Sequence, residues 1–188
     1  MKTFLIGTVA LTMFAGAAFA ESHSVVRLGT EGAYPPYNYI DDDGEVAGFE
    51  RELGDELCKR AELTCEWVTN EWDSIIPNLV SGNYDTIIAG MSITDERDEV
   101  IDFTQNYTPP DPSAYLAMDE GLDLEGAVIA AQTGTIQAGY AEENLGGANT
   151  IVTFSTADQA MADLAAGNLD TILADGAYLE PVVNASNG

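Results

Sequence analysis

Arg97 stands in AGMSITDER and Asp175 closes LAAGNLDTILAD, a guanidinium and a carboxylate on separate segments, the first able to hold an anion and the second a cation. Arg forms a two-pronged fork with a carboxylate, and Ser92 adds a hydroxyl nearby. Asp175 accepts hydrogen bonds from an ammonium. Each has an ordinary alternative: Arg97 paired on the surface with Asp95 or Asp98, and Asp175 capping a helix that begins near Gly176. In QTGTIQ, Gly134 and Thr135 lie between a strand and a helix, where free backbone N–H groups point at an anion. In GTEGAYPPYNY, Glu31 follows a strand and can pair with a positive side chain, while Tyr34 sits in a loop stiffened by Pro35 and Pro36. Trp72 opens a helix. Aromatic faces at the mouth of a cleft sandwich an alkyl chain or a cation; the plainer alternative packs Tyr34 on the prolines and Trp72 over a core edge.

The elements that must position these residues follow a rhythm. β-rich runs (SVVRLGT, TCEWV, YDTIIAG) alternate with helix-period segments (GFERELGDELCKRA, EWDSIIPNLVSG), the pattern of an α/β fold with largely parallel strands. In the first helix Phe49, Leu53 and Leu57 make an apolar stripe, and in the second Ile75, Ile76, Leu79 and Val80 do so, with Gly82 placed to end it. IDDDGEV reads as a hairpin connection. From residue 113 the rhythm restarts with PSAYLAM, GAVIAAQ, a helix from Ile136, TIVTF, a helix over TADQAMADLAAG, the strand DTILAD and a last helical turn near Tyr178.

LVSGNYDTIIAG at 79–90 and LAAGNLDTILAD at 164–175 agree at seven of twelve positions with an offset of 85. Two similar lobes are implied, 21–108 and 109–188, joined through the proline-rich QNYTPPDPS. Helix-Gly-Asn-strand is also a common α/β connection. Open sheets bind ligands beyond the carboxyl ends of their strands, and the two copies end there on Gly90 and Asp175.

Composition narrows the function. Six Lys and Arg face 32 Asp and Glu, a formal charge of −26, which repels nucleic acid and anionic membranes. A hydrophobic fraction of 46% excludes a disordered acidic tail. Residues 1–20 read as a signal peptide, with basic Lys2, an apolar run and Ala18-Phe19-Ala20 before the cleavage point; no later apolar run reaches spanning length, so an exported product without membrane insertion is expected. Cys58 and Cys65 then meet oxidising conditions and are expected to form a disulfide, worth roughly 2–3 kcal/mol for so small a ring. With His23 the sole histidine, metal sites and His-dependent catalysis have little to work with, and neither cofactor nor metal is expected.

Taken in order, GTEGAYPPYNY, GFERELGDELCKR, EWDSIIPNLVSGNYDTIIAG, MSITDER and IDFTQNY resemble the periplasmic solute-binding proteins of the polar amino acid type, family 3, with QTGTIQ and LAAGNLDTILAD matching more loosely. The resemblance covers Val25 to Val183. It implies a two-lobed, type II Venus-flytrap α/β fold in a monomer that hands its ligand to an inner-membrane ABC permease. It further implies that Arg97 holds the α-carboxylate, Asp175 the α-ammonium, and Tyr34 and Trp72 the side chain, with hydrogen bonds from Gly90, Ser92 and Thr135. A disulfide like Cys58–Cys65 together with Glu31 resembles the lysine/arginine/ornithine and opine binders, pointing to a cationic amino acid. Two positions depart: Ile136 replaces a frequent hydroxyl, and Ala89 a serine found in several binders of basic ligands. The family also continues past VVNASNG to finish the second lobe and return to the first, so the resemblance implies a C-terminally incomplete fold. The expected function is a periplasmic amino-acid receptor. The alternatives are an enzyme on this scaffold, such as a dehydratase using Glu31 or Asp175 as general acid, and a detached sensory domain.

Overall fold

A computed structural model describes residues Val25–Ser186; the signal sequence and His23 lie outside the described residues. Two α/β sheets follow one another along the chain. The first is parallel, with β1 (Val26–Thr30) between β5 (Cys65–Thr69) and β6 (Thr86–Ile87). The second orders β7 (Ser113–Ala117), β10 (Thr171–Asp175), β8 (Val128–Gln132) and β9 (Thr150–Phe154); β10–β8 and β8–β9 are parallel and β7 runs antiparallel. A small antiparallel meander, β2 (Ala33–Tyr34), β3 (Asn38–Ile40) and β4 (Val46–Ala47), includes the expected hairpin, closed by Gly44 N–H donating to Asp41 O.

Parallel sheets need cover on both faces. Helix α1 (Phe49–Arg60) brings Cys58 against Leu28 and Ile88, while α2 (Ile75–Val80), entered through a 3₁₀ turn at Trp72–Ser74, puts Ile75 beside Tyr84 and Ala89. In the second sheet α5 (Ala157–Ala165) buries Ala160 and Leu164 against Ala130 and Ile172. The opposite face meets the turn that continues α4 (Ile136–Tyr140), with Ala141 against Ile129 and Leu173. The last helix, α6 (Gly176–Ser186), is far longer than the single turn expected near Tyr178.

The stripe expected on α1 points the wrong way. Phe49 and Leu57 remain 45% and 53% exposed, and the buried positions are Glu50, Gly54 and Cys58, one residue along. Close approach decides this: a Cβ on Gly54 would lie 2.6 Å from the Trp67 ring, and Cys58 is held to β5 by its disulfide to Cys65. On α2, Val80 is likewise 63% exposed while Ile75 is buried.

The repeated phrase builds the same device twice. Gly82 N–H donates to Leu79 O and Asn83 N–H to Asn78 O; 85 residues on, Gly167 N–H donates to Leu164 O and Asn168 N–H to Asp163 O. That is a Schellman ending, with left-handed φ of 77° at Gly82 and 75° at Gly167. The next conserved letter of the phrase also repeats its work. Asp85 accepts from Arg27 N–H at 2.8 Å and Asp170 from Val128 N–H at 2.7 Å, each pinning its strand to the neighbour.

Candidate functional site

The carboxyl ends of both sheets border one cavity, and all eight residues singled out in the sequence line it: Glu31, Tyr34, Trp72, Gly90, Ser92, Arg97, Thr135 and Asp175. Glu31 comes just after β1, Gly90 after β6, and Asp175 ends β10.

Arg97 lies in the short helix α3 (Asp95–Asp98), whose N-cap Thr94 accepts the Arg97 N–H. Its guanidinium donates to Ser92 O at 2.9 Å and to Gly134 O at 3.2 Å and rests 5.6 Å over the Trp72 ring. The surface pairing with Asp95 or Asp98 is not found. Arg27, Arg51, Lys59 and Arg60 each make an ion pair, so Arg97 is the one cation among the described residues without one. Burial draws its pKa down, opposed by Glu96 and Asp175, but a guanidinium stays charged.

Asp175 is released from helix capping. The α6 amides of Gly176 and Ala177 donate instead to Pro112 O and to the Asp111 carboxylate, at 2.9 and 2.8 Å. The Asp175 carboxylate accepts from the Tyr34 hydroxyl and from Gln137 Nε2, both at 2.5 Å. Burial raises its pKa above the usual carboxylate range, against the pull of those two donors. Glu31 accepts from Gln132 Nε2, and burial pushes it up to about 7, with Glu71 and Asp158 adding repulsion. At neutral pH a nearby cation would therefore be needed to hold Glu31 fully ionised.

Several expected contacts are modified. Tyr34 stacks with other tyrosines, its ring centroid 5.1 Å from that of Tyr178 and 6.0 Å from that of Tyr37. Trp72 donates its Nε1–H to Gly134 O. Thr135 caps α4: its hydroxyl donates to Gln132 O and accepts from Ala138 N–H, and its own N–H donates to Gln132 O, so the free amide expected there is taken up within the turn. Gly90 N–H is likewise engaged by Glu50, which leaves its carbonyl as the group it can offer.

Two lining residues went unnoticed in the sequence. Gln132 bridges Glu31 and Ser155 O, and buried Gln137 links Asp175 to the Ser113 hydroxyl. Gln132 was within reach of the strand-end rule that selected Asp175, since it ends β8 as Asp175 ends β10. Gln137, inside α4, carried no such signal. Four hydrogen bonds cross the cavity between the halves of the chain: Gln132 to Glu31, Tyr34 to Asp175, and Trp72 and Arg97 to Gly134 O.

Known proteins share this architecture. The family model for bacterial extracellular solute-binding proteins, family 3, matches residues 26–181. The L-arginine-binding protein of Pseudomonas aeruginosa is 36% identical over 95% of this chain and 71% of its own length. The lysine/arginine/ornithine-binding periplasmic protein of Escherichia coli is 33% identical over 86% of this chain, which spans 64% of that protein. The crystal structure of a periplasmic His/Glu/Gln/Arg/opine family-binding protein from Silicibacter pomeroyi in complex with lysine aligns with a TM-score of 0.82 and 67% identity, over 87% of this chain and 73% of that one. With its two α/β sheets bordering a shared cavity, this chain belongs to the bacterial extracellular solute-binding proteins, family 3.

Proposed function

We propose that this chain captures a cationic amino acid, of the lysine, arginine, ornithine or opine kind, in the periplasm and delivers it as a monomer to an inner-membrane ABC permease. Residues 21–108 and 109–188 act as lobes that close on the ligand. Arg97 takes the α-carboxylate in place of its present carbonyl partner Gly134. Asp175 takes the α-ammonium, sharing its oxygens with Tyr34 and Gln137. The side chain runs past Trp72 and Tyr34 towards Glu31, whose charge it stabilises, with Gly90, Ser92 and Thr135 completing the wall. Closure is favoured because the ligand touches both lobes only when they meet.

The observation that carries this reading is the unpaired Arg97 facing the same cavity as Asp175 in so acidic a chain. A cation left without a carboxylate on such a protein is provision for an anion brought from outside. The relatives named above point the same way: the Pseudomonas protein is named for L-arginine, and the Silicibacter structure holds lysine. Isothermal titration of the full chain with L-lysine, L-arginine, L-ornithine, octopine and L-glutamate tests it. Binding of a basic member and none of glutamate is expected. Arg97→Ala should abolish that binding, since each charge-assisted hydrogen bond is worth roughly 1.5–3 kcal/mol; an unchanged affinity would remove Arg97 from the role.

A further inference from the structure

Glu50 is the one ionisable side chain in the first half of the described chain that is wholly shut off from solvent, at 0% exposure, and it does not line the ligand cavity. It lies in the first turn of α1, where the helix dipole favours a negative charge. That helix start is docked on the loop after Tyr34, since Phe49 and Glu50 N–H donate to Pro36 O and Tyr37 O. The Glu50 carboxylate is fully occupied. Its Oε2 accepts from Asn38 Nδ2 at 2.7 Å; its Oε1 accepts from Gly90 N–H at 2.5 Å and from the Tyr107 hydroxyl, which itself accepts from Gly90 N–H at 3.0 Å. Asn38, also 0% exposed, then accepts Gly32 N–H at 2.7 Å.

The result is a buried polar line from Gly90 through Glu50 and Asn38 to Gly32, with a branch to Tyr107. Its two ends are the loops that follow β6 and β1, which carry Gly90 with Ser92 and Gly32 with Glu31. Both end residues have left-handed backbones, φ of 59° at Gly90 and 75° at Gly32. Glycine adopts such angles without steric cost, so the hydrogen bonds of this line are what fix the two turns. Tyr107 belongs to the irregular segment that leads from α3 to β7, between the two sheets. Burying a carboxyl group is costly unless its hydrogen bonds are made, and here three donors make them. We infer that Glu50 is a positioning residue: through Asn38 and Gly90 it fixes the two first-sheet loops of the ligand cavity relative to each other, and through Tyr107 it ties them to the inter-sheet segment.

The part of the test that concerns affinity rests on the amino-acid receptor reading, so a second readout is chosen that does not. In the full chain, Glu50→Gln keeps the shape but replaces one acceptor oxygen by a donor, so it cannot serve Asn38, Gly90 and Tyr107 together. Proton–nitrogen correlation spectra of the unsubstituted protein should show the Gly90 amide proton displaced downfield and slow to exchange, as a hydrogen bond to carboxylate requires. In Glu50→Gln that resonance should move upfield and exchange at least about tenfold faster, and the affinity for L-lysine or L-arginine should fall about tenfold. Tyr107→Phe, which removes a single hydroxyl and guards against a failure of Glu50→Gln to fold, should give the same two changes in weaker form. A lowered melting temperature with the Gly90 amide and the affinity both unchanged would reduce Glu50 to a structural role and overturn the inference. If the unsubstituted protein binds no amino acid, the receptor reading falls, and the Gly90 amide alone decides the positioning of the loop.

Discussion

The two copies of the repeated phrase differ least where they turn and most where they stop. Through the glycine ending, the asparagine and the strand-pinning aspartate their backbone N–H groups find corresponding partners, although the Arg27 guanidinium also donates to Asn83 O and Asp85, where Val128 has nothing to match. Beyond that they part. The first strand is two residues long and leads into Gly90, whose amide is held from behind by Glu50. The second is five residues long, gains the antiparallel partner β7, and ends in Asp175, whose carboxylate looks into the cavity. The conserved part of the phrase is therefore scaffold. The last letter, which differs, is what each copy presents to the cavity, backbone on one side and a carboxylate on the other.

Of the changes that bear on this comparison, removing that charge should have the largest effect. Asp175→Asn keeps an acceptor for Gln137 and supplies a donor to the Tyr34 oxygen, but it takes away the counter-charge of an ammonium. A loss of roughly 1.5–3 kcal/mol in amino-acid affinity, about 10- to 150-fold, is expected by titration calorimetry. The melting temperature should hold or rise, because burial raises the Asp175 pKa and its ionised form is a cost to the folded state. A less stable variant with undiminished affinity would show that Asp175 is scaffold like the rest of its copy.

Glu31 tests the opposite side of the cavity. Its pKa stands at about 7 against an ordinary 4.5, chiefly through burial. A carboxyl raised in this way contributes stability that is complete below its unfolded pKa and is lost as the pH climbs through the folded one. Between pH 5 and 8 the ligand-free protein should therefore lose up to about 3 kcal/mol that Glu31→Gln does not lose, measured by denaturant titration at each pH. A cationic ligand favours the ionised form, so binding near pH 7 should release protons, detectable as heats that depend on the ionisation enthalpy of the buffer. Proton release that persists in full in Glu31→Gln would assign it to another group.

How much of this the sequence discloses depends on the range of the interaction. The phrase offset, the parallel sheets, the Cys58–Cys65 bond and the membership of the cavity were readable, because strand ends in open α/β sheets converge by topology. The buried face of α1 was not. Periodicity weighs Phe49, Leu53 and Leu57 by hydrophobicity, whereas the fold selected Glu50 for its three donors and Gly54 for its lack of a side chain against Trp67. Asp175 could not be told from a helix cap until Asp111, 64 positions earlier in numbering, was seen to take the α6 amide. Such competition between distant acceptors leaves no local pattern. The same holds for Gln137, which looks like any polar residue of a helix start.

The smallest expected effect is the sharpest check that the shared part of the phrase is scaffold. A Cβ added at Gly82 or at Gly167 would meet nothing within 4 Å, so substitution costs only what the backbone charges for a left-handed φ. The angles are 77° and 75°, and the backbone hydrogen bonds that end the two helices there correspond. Gly82→Ala and Gly167→Ala should each destabilise by about 1 kcal/mol, and by the same amount as each other. Because neither glycine borders the ligand cavity, both variants should bind as the unsubstituted protein does. The two glycines lie in turns that lead into different sheets and share no hydrogen-bond partner, so the double substitution should be additive to within about 0.5 kcal/mol. Unequal single costs by chemical denaturation would mean that one copy has been adapted beyond its last residue, and the division into common turn and distinctive terminus would have to be redrawn.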